Sequence, residues 1–326
     1  MCTCIAMKTQ DAYFGRSMDI DYRFGEKVVV TPRGYVFPLK NGQRLETWYA
    51  MVGMAAVAGE YPLYAEAVNE KGLCMAGLNF TGNARYRESE PGKLNLTPYE
   101  FIPWVLGNFA GMQEVRRELR AVNLTGVPFS RTTGVAELHW MISDGTDSVV
   151  VEQTSAGLHV YDNPAGVLTN NPEFPFHQMN LNTYMNLSCR PAENRFSAGL
   201  GLKAYGAGMG SIGLPGDDSP TSRFIRACFC KMNSLCATDD ASSIAQFFHI
   251  MEAVSIVRGA VMLEDSKCSV TTYTCCANAT QGVYYYRSYG NSQLTAVRLT
   301  EENKSAPRLT VFDMEETQQV RYMNTP

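Results

Sequence analysis

Cys2 directly follows Met1. Methionine ahead of so small a residue is normally trimmed, which would leave one residue carrying both a thiol and a free α-amine. Their reference pKa values are about 8.5 and about 7.7 to 8.0, so such an amine can exchange the sulfur's proton near neutral pH without a histidine. In most chains a cysteine at position two is an accident, so the reading depends on what can stand beside it. Arg16 and Asp19 come next in sequence. A guanidinium beside a thiol favours the thiolate, and a carboxylate beside an α-amine orients it and holds its proton. Taken alone, an arginine and an aspartate three residues apart more often make a surface ion pair. Asn79 and Asn170 each close an apolar run, Leu73 to Leu78 and Gly166 to Thr169. An asparagine there is either a turn residue or an amide presented at a sheet end.

The elements that must position these groups can be read in order. Cys2 to Met7 and Tyr13 to Arg16 form a hairpin about the polar turn 8–11, so Arg16 and Asp19 fall on the returning strand and just beyond it, opposite the terminus. Strands follow at Lys27 to Thr31, Tyr49 to Val57, Ala65 to Asn69 and Leu73 to Phe80. Thr97-Pro98-Tyr99-Glu100 is a capping box with proline at the first helical position, and it opens helices over Tyr99 to Asn108 and Met112 to Asn123. A meander over His139 to Ser143, Ser148 to Gln153 and Gly157 to Tyr161 precedes Asn170. Ser219-Pro220 opens a helix carrying Arg223, and Thr238-Asp239 caps another running to about Val254. Strands return at Ser269 to Cys275, Gly282 to Ser288 and Leu294 to Thr300. Nothing divides the chain, so residues 1–326 read as one layered domain with a glycine-rich excursion at 191–220.

Composition removes other classes. Of 326 residues 45% are hydrophobic and 18% charged, with a net charge of −4. This is a globular protein without the basic clustering of a nucleic-acid surface, so no nucleic-acid partner is expected. The start MCTCIAMKTQ lacks the regions of a signal peptide, and no run reaches the roughly 18 apolar residues of a membrane span. No membrane partner and a cytoplasmic location are expected. The ten cysteines are then mostly buried and reduced. Cys2/Cys4, Cys228/Cys230 and Cys275/Cys276 lack zinc-ligand spacing, and the four histidines are scattered, so no metal is expected. Gly206, Gly208 and Gly210 give a GxGxG without the strand and helix of a dinucleotide loop.

Five separated motifs now stand in order: Met1-Cys2-Thr3, Tyr13 to Asp19, Ala76-Gly77-Leu78-Asn79-Phe80, Leu168-Thr169-Asn170-Asn171-Pro172, and Gly213-Leu214-Pro215-Gly216-Asp217 through Ser222-Arg223-Phe224. Over essentially its whole length the chain resembles the choloylglycine hydrolase family, which holds conjugated bile acid hydrolases and penicillin V acylases. The resemblance implies an α+β N-terminal nucleophile hydrolase, a four-layer αββα sandwich of two antiparallel sheets covered by helices. It implies an amidohydrolase, a homotetramer tied together by the excursion, and maturation by methionine removal alone.

The same resemblance gives roles. Cys2 attacks the amide joining a steroid acid to glycine or taurine, its α-amine shuttles the proton, and Asn79 and Asn170 supply oxyanion donors by side-chain amide or neighbouring backbone N–H. Arg16 and Asp19 set the terminus, Arg223 buttresses them from behind, and no cofactor is implied. Met18, Ile20, Phe24, Tyr61, Leu63 and Phe129 are candidates for an apolar steroid pocket, each of which could instead be core. Gly206-Ala207-Gly208 matches a stretch associated with the choice of conjugate. Lacking an arginine there, it leans towards taurine, with glycine conjugates also cleaved. Penicillin V acylase is the nearest rival; those enzymes tend to carry tyrosine at the position of Asn79. An acyltransferase in which an amino acid intercepts the thioester is the other.

Overall fold

The computed structural model describes residues 1–324. Strand β1 (Cys2–Lys8) and strand β2 (Ala12–Ile20) form the expected hairpin, with Cys2 opposite Met18 and Cys4 opposite Arg16. The returning strand is longer than its sequence suggested and takes in Asp19. Side chains alternate between faces along a strand, so Arg16 and Met18 point one way and Asp19 the other. Beside Arg16, Gly15 lets Cys268–Asn278 approach closely, since a Cβ there would lie 2.0 Å from the Cys275 carbonyl oxygen.

The hairpin sits inside the first sheet, whose order is Val167–Leu168, β1, β2, Cys268–Asn278, Val283–Ser288 and Thr295–Arg298. The second sheet runs Gly157–Asp162, Ser148–Thr154, Leu138–Ser143, Cys74–Asn79, Tyr61–Asn69, Met51–Ala58, Glu26–Thr31 and Thr310–Phe312. Helices Pro220–Asn233 and Asp240–Glu252 cover the outer face of the first sheet, and helix Pro98–Asn108 covers that of the second. Ser219 and Asp239 cap the first two through the Ser222 and Ser242 amides, and Thr97 with Glu100 closes the capping box of the third. Four layers thus form, as expected.

Two apolar cores result. One fills the sandwich around Cys4, Val28, Val52, Val68 and Leu78 and continues to Phe224 and Phe247 under the helices. The other, with Phe101, Val105, Trp140 and Val151, lies between the second sheet and helix Pro98–Asn108. Burying each such side chain stabilises by about 1.5 to 3 kcal/mol.

Two local readings need correction. The helix expected over Met112 to Asn123 stops at Glu118, turns through Leu119–Ala121 and becomes strand Val122–Leu124, whose pairing with Leu94–Leu96 outweighs its helical spacing. Phe174–Asn180 is a helix that the sequence did not announce. The excursion is open chain apart from the short turn Met209–Ser211, and Phe196 and Tyr205 on it are exposed. All ten cysteines are free, and six of them are buried.

Candidate active site

Cys2 lies at the sandwich end of β1 and is almost fully buried. Arg16, across the hairpin and on the same inner face, donates through Nη2 to the Cys2 sulfur. The rest of its guanidinium is tied down: Nη1 donates to the Gly77 carbonyl at 2.7 Å and Nε to the Ser17 carbonyl at 3.1 Å. Nη1 is also 3.7 Å from Glu66, a buried carboxylate on the facing sheet. Burial by itself weakens the guanidinium's hold on its proton, but Cys2, Tyr273 and Glu66 outweigh it and raise its pKa. The cation therefore stays charged where a thiolate would form.

Asp19 stands on the other face of the hairpin. Its carboxylate accepts from Ser17 Oγ at 3.0 Å and Thr271 Oγ1 at 2.7 Å, and Arg223 Nη1 is 3.8 Å away. Its backbone brackets the terminus, with N–H donating to the Met1 carbonyl at 3.0 Å and its carbonyl accepting from the Met1 amine. Asp19 thus aims the chain end from behind the sheet rather than beside the sulfur.

Arg223 acts as a bracket between chain segments. From its buried helix it donates to the Cys2 carbonyl and Thr3 Oγ1, both at 2.6 Å, to Asn170 Oδ1 at 2.8 Å and to the Asp218 carbonyl at 3.0 Å. Burial lowers its pKa, and the charges of Asp19 and Cys2 oppose that.

The two asparagines stand in different surroundings. Asn170 Oδ1 accepts from the Cys2 N–H at 2.8 Å as well as from Arg223, and Asn170 Nδ2 donates to the Asn79 carbonyl at 2.8 Å. The Asn170 amide thus holds Cys2 and the end of strand Cys74–Asn79. Asn79 is exposed at that strand's end, with Oδ1 accepting from Thr81 Oγ1 at 2.6 Å. Its amide is the one presented to solvent.

Two histidines that the sequence reading dismissed support this loop. His139, stacked on Phe80 with centroids 4.3 Å apart, donates through Nε2 to the Thr169 carbonyl at 3.1 Å and meets Glu152 Oε1 through Nδ1 at 2.9 Å. Glu152 also accepts from the Phe174 N–H. His177 Nε2 donates to the Asn170 carbonyl at 2.9 Å, and burial pulls its pKa down to about 4. Their signal in sequence was only position: His139 starts a strand and His177 follows Asn170 by seven residues.

The expected apolar pocket divides. Met18, Ile20 and Phe24 belong to or pack on the core that holds Cys2. Tyr61, Leu63 and Phe129 belong to the core on the far face of the second sheet. There Tyr61 and Phe129 lie 5.3 Å apart and line a separate cavity of about 470 Å³ with Tyr35 and Tyr99. Gly206, Ala207 and Gly208 are exposed on the excursion, and none makes a hydrogen bond with the residues around Cys2. Burial pushes the Cys4 thiol well up, so it remains protonated beside Cys2.

Two antiparallel sheets face to face, clad in helices, with the chain end held between them, make this an N-terminal nucleophile hydrolase fold, here that of an amidohydrolase acting on linear amides. The chain belongs to the choloylglycine hydrolase family of linear amide C–N hydrolases, whose model matches residues 2–316. It is 42% identical to the bile salt hydrolase/transferase of Lactiplantibacillus plantarum, over 99% of this chain and all of that protein. It is 35% identical to the conjugated bile acid hydrolase of Lactobacillus gasseri, over 96% of this chain and all of that one. A crystal structure of a conjugated bile acid hydrolase variant from Clostridium perfringens superposes with a TM-score of 0.92 at 38% identity, covering 99% and 100% of the two chains. Penicillin V acylase from Agrobacterium tumefaciens shares the fold, with a TM-score of 0.77 at 20% identity over 96% and 91%.

Proposed function

We propose that the protein hydrolyses the amide bond of glycine- and taurine-conjugated bile acids, with Cys2 as nucleophile. The observation that carries this is the Arg16 guanidinium on the Cys2 sulfur, at a chain end whose nitrogen is aimed by Asn170. Loss of Met1 turns that nitrogen from an amide into a primary amine. The amine takes the thiol proton, the sulfur bonds to the substrate carbonyl carbon, and the oxyanion is met by the Asn79 amide. Collapse breaks the C–N bond, with the proton returned to the leaving nitrogen. The amine then activates water, which cleaves the thioester to free bile acid and restores the thiol. All of these steps are carried by the chain's own groups, without a cofactor.

Met18, Ile20 and Phe24 form the apolar wall nearest the sulfur, where a steroid body is accommodated. The family carries the excursion across to a neighbouring subunit in a homotetramer, and exposed Phe196, Tyr205 and Ile212 fit such a contact. Gly206 to Gly208, with no cation among them, then favour a sulfonate over a carboxylate. Curated relatives called hydrolase/transferase support a second reading, in which an added amine intercepts the thioester.

The test compares Met1-free protein, checked by intact mass, on taurocholate, glycocholate and penicillin V, with Cys2→Ala beside it. Conjugated bile acids should be cleaved with the higher kcat/KM, and Cys2→Ala should lose turnover. A large preference for penicillin V would overturn the substrate, and full turnover by Cys2→Ala the nucleophile. New conjugates formed with excess free amino acid would establish transfer.

A further inference from the structure

We infer that Glu66 sets the acidity and the nucleophilic strength of Cys2 by competing with its sulfur for the Arg16 guanidinium. This rests on the reading of Cys2 as the attacking group. Glu66 comes from the second sheet, on strand Tyr61–Asn69, and is 2% exposed. It accepts from Tyr284 Oη at 2.6 Å, from Tyr273 Oη at 3.1 and 3.0 Å and from Cys275 Sγ at 3.5 Å. Among the described residues the cation paired with it is Arg16, at 3.7 Å. Burial raises the Glu66 pKa, and the Arg16 charge with the three neutral donors opposes that rise and favours the ionised carboxylate.

Arg16 therefore lies between two acidic groups, with Nη2 on the Cys2 sulfur and Nη1 towards Glu66. One positive charge is shared between the Glu66 carboxylate and the anion that appears when the thiol ionises. The other groups facing this space are Cys4 on β1, Cys74 on the second sheet, Tyr273 and Cys275 on Cys268–Asn278, Tyr284 on Val283–Ser288, and Tyr22 beyond β2. Burial pushes the pKa of each of them up, so they stay neutral. Behind the hairpin stand Asp19 and Arg223, 3.8 Å apart. The charges nearest the sulfur are thus Arg16, Glu66 and, once Met1 is lost, the Cys2 α-amine, which is common to every variant compared below.

The consequence has a sign. Without the Glu66 charge the whole guanidinium is available to the thiolate, whose formation then becomes easier. A unit charge about 8 Å away at an effective dielectric of about 20 shifts a pKa by roughly one and a half units. A more acidic thiol is also a weaker nucleophile once ionised, by about threefold per unit. Glu66 is therefore a positioning residue that acts through Arg16, trading thiolate population for sulfur reactivity.

The test is alkylation of Met1-free protein by iodoacetamide across pH, read peptide by peptide by mass spectrometry, with exposed Cys189 as internal reference. In Glu66→Gln the Cys2 midpoint should fall by about one and a half pH units, and its limiting rate at high pH by about fivefold. Glu66→Asp should keep the midpoint near the wild-type value, and Cys189 should not move in any variant. Glu66→Met, which fills similar volume without a charge, is read in the same way should the glutamine variant not fold. A Cys2 curve unchanged in the neutral variants, or shifted equally by glutamine and aspartate, overturns the inference. The alkylation curve does not depend on turnover, so failure here is distinct from failure of Cys2 as nucleophile, which Cys2→Ala tests alone.

Discussion

Arg223 Nη2 and Asn170 Oδ1 lie 2.8 Å apart. A guanidinium can only donate, so this contact fixes which way round the Asn170 amide sits: oxygen towards Cys2 N, nitrogen towards the Asn79 carbonyl. One buried cation on a helix thereby orients a side chain on a loop, which orients the chain end and the tip of a strand in the opposite sheet.

Breaking that relay should cost rate more than binding. Asn170→Ala removes the acceptor for Cys2 N and the tie to Asn79, and a misplaced reacting group costs roughly 100-fold. Steady-state kinetics should show the loss in kcat, with KM changed little. Arg223→Lys should also fall well short of wild type, because one ammonium cannot serve Cys2, Thr3, Asn170 and Asp218 from a planar fork. Wild-type kcat in both variants would remove the relay from the mechanism.

His177 should make the protein acid-sensitive. Its pKa is about 4 in the fold against about 6.5 unfolded. Between these values the unfolded chain binds the extra proton and the folded one does not. The stability it contributes is fully present above the unfolded value and is lost as pH falls through the folded one, up to about 3 kcal/mol. Urea midpoints should drop across this window, and His177→Gln, which can still donate to the Asn170 carbonyl, should flatten the slope. Parallel slopes in the two proteins would contradict this.

The pair His139 and Glu152 should matter to folding first and to catalysis through it. Glu152→Gln removes the carboxylate that holds both the His139 ring and the Phe174 N–H in a buried site, a loss of about 1 to 3 kcal/mol. Denaturant unfolding should show that loss, together with reduced kcat as the carbonyls of Thr169 and Asn170 lose their restraint. A stability within error of wild type would mean that the loop is held by other contacts.

Much of this arrangement was legible in the sequence for local reasons. The hairpin followed from alternation and a polar turn, the helix starts from Thr97, Ser219 and Asp239 with their caps, and the motif order from residues that keep their spacing whatever the packing. Other features were not legible because they depend on contacts far along the chain. Asn170 could be read as an amide at a strand end, but only Arg223, 53 residues on, decides that its oxygen faces Cys2. Phe129 reads as apolar and loop-borne, yet which face of the second sheet it covers depends on helix Pro98–Asn108 and Tyr61.

The sequence by itself determined the chemistry on offer: a terminal thiol, a cation and a carboxylate five and eight residues past the end of the polar turn at 8–11, and amides closing apolar runs. Tertiary structure decided how these groups are apportioned. Strand parity sent Arg16 to the sulfur and Asp19 behind it. The second sheet then laid Glu66 against Arg16, a contact across 50 residues that no local pattern encodes, because a buried charge is placed by whatever surrounds it in space.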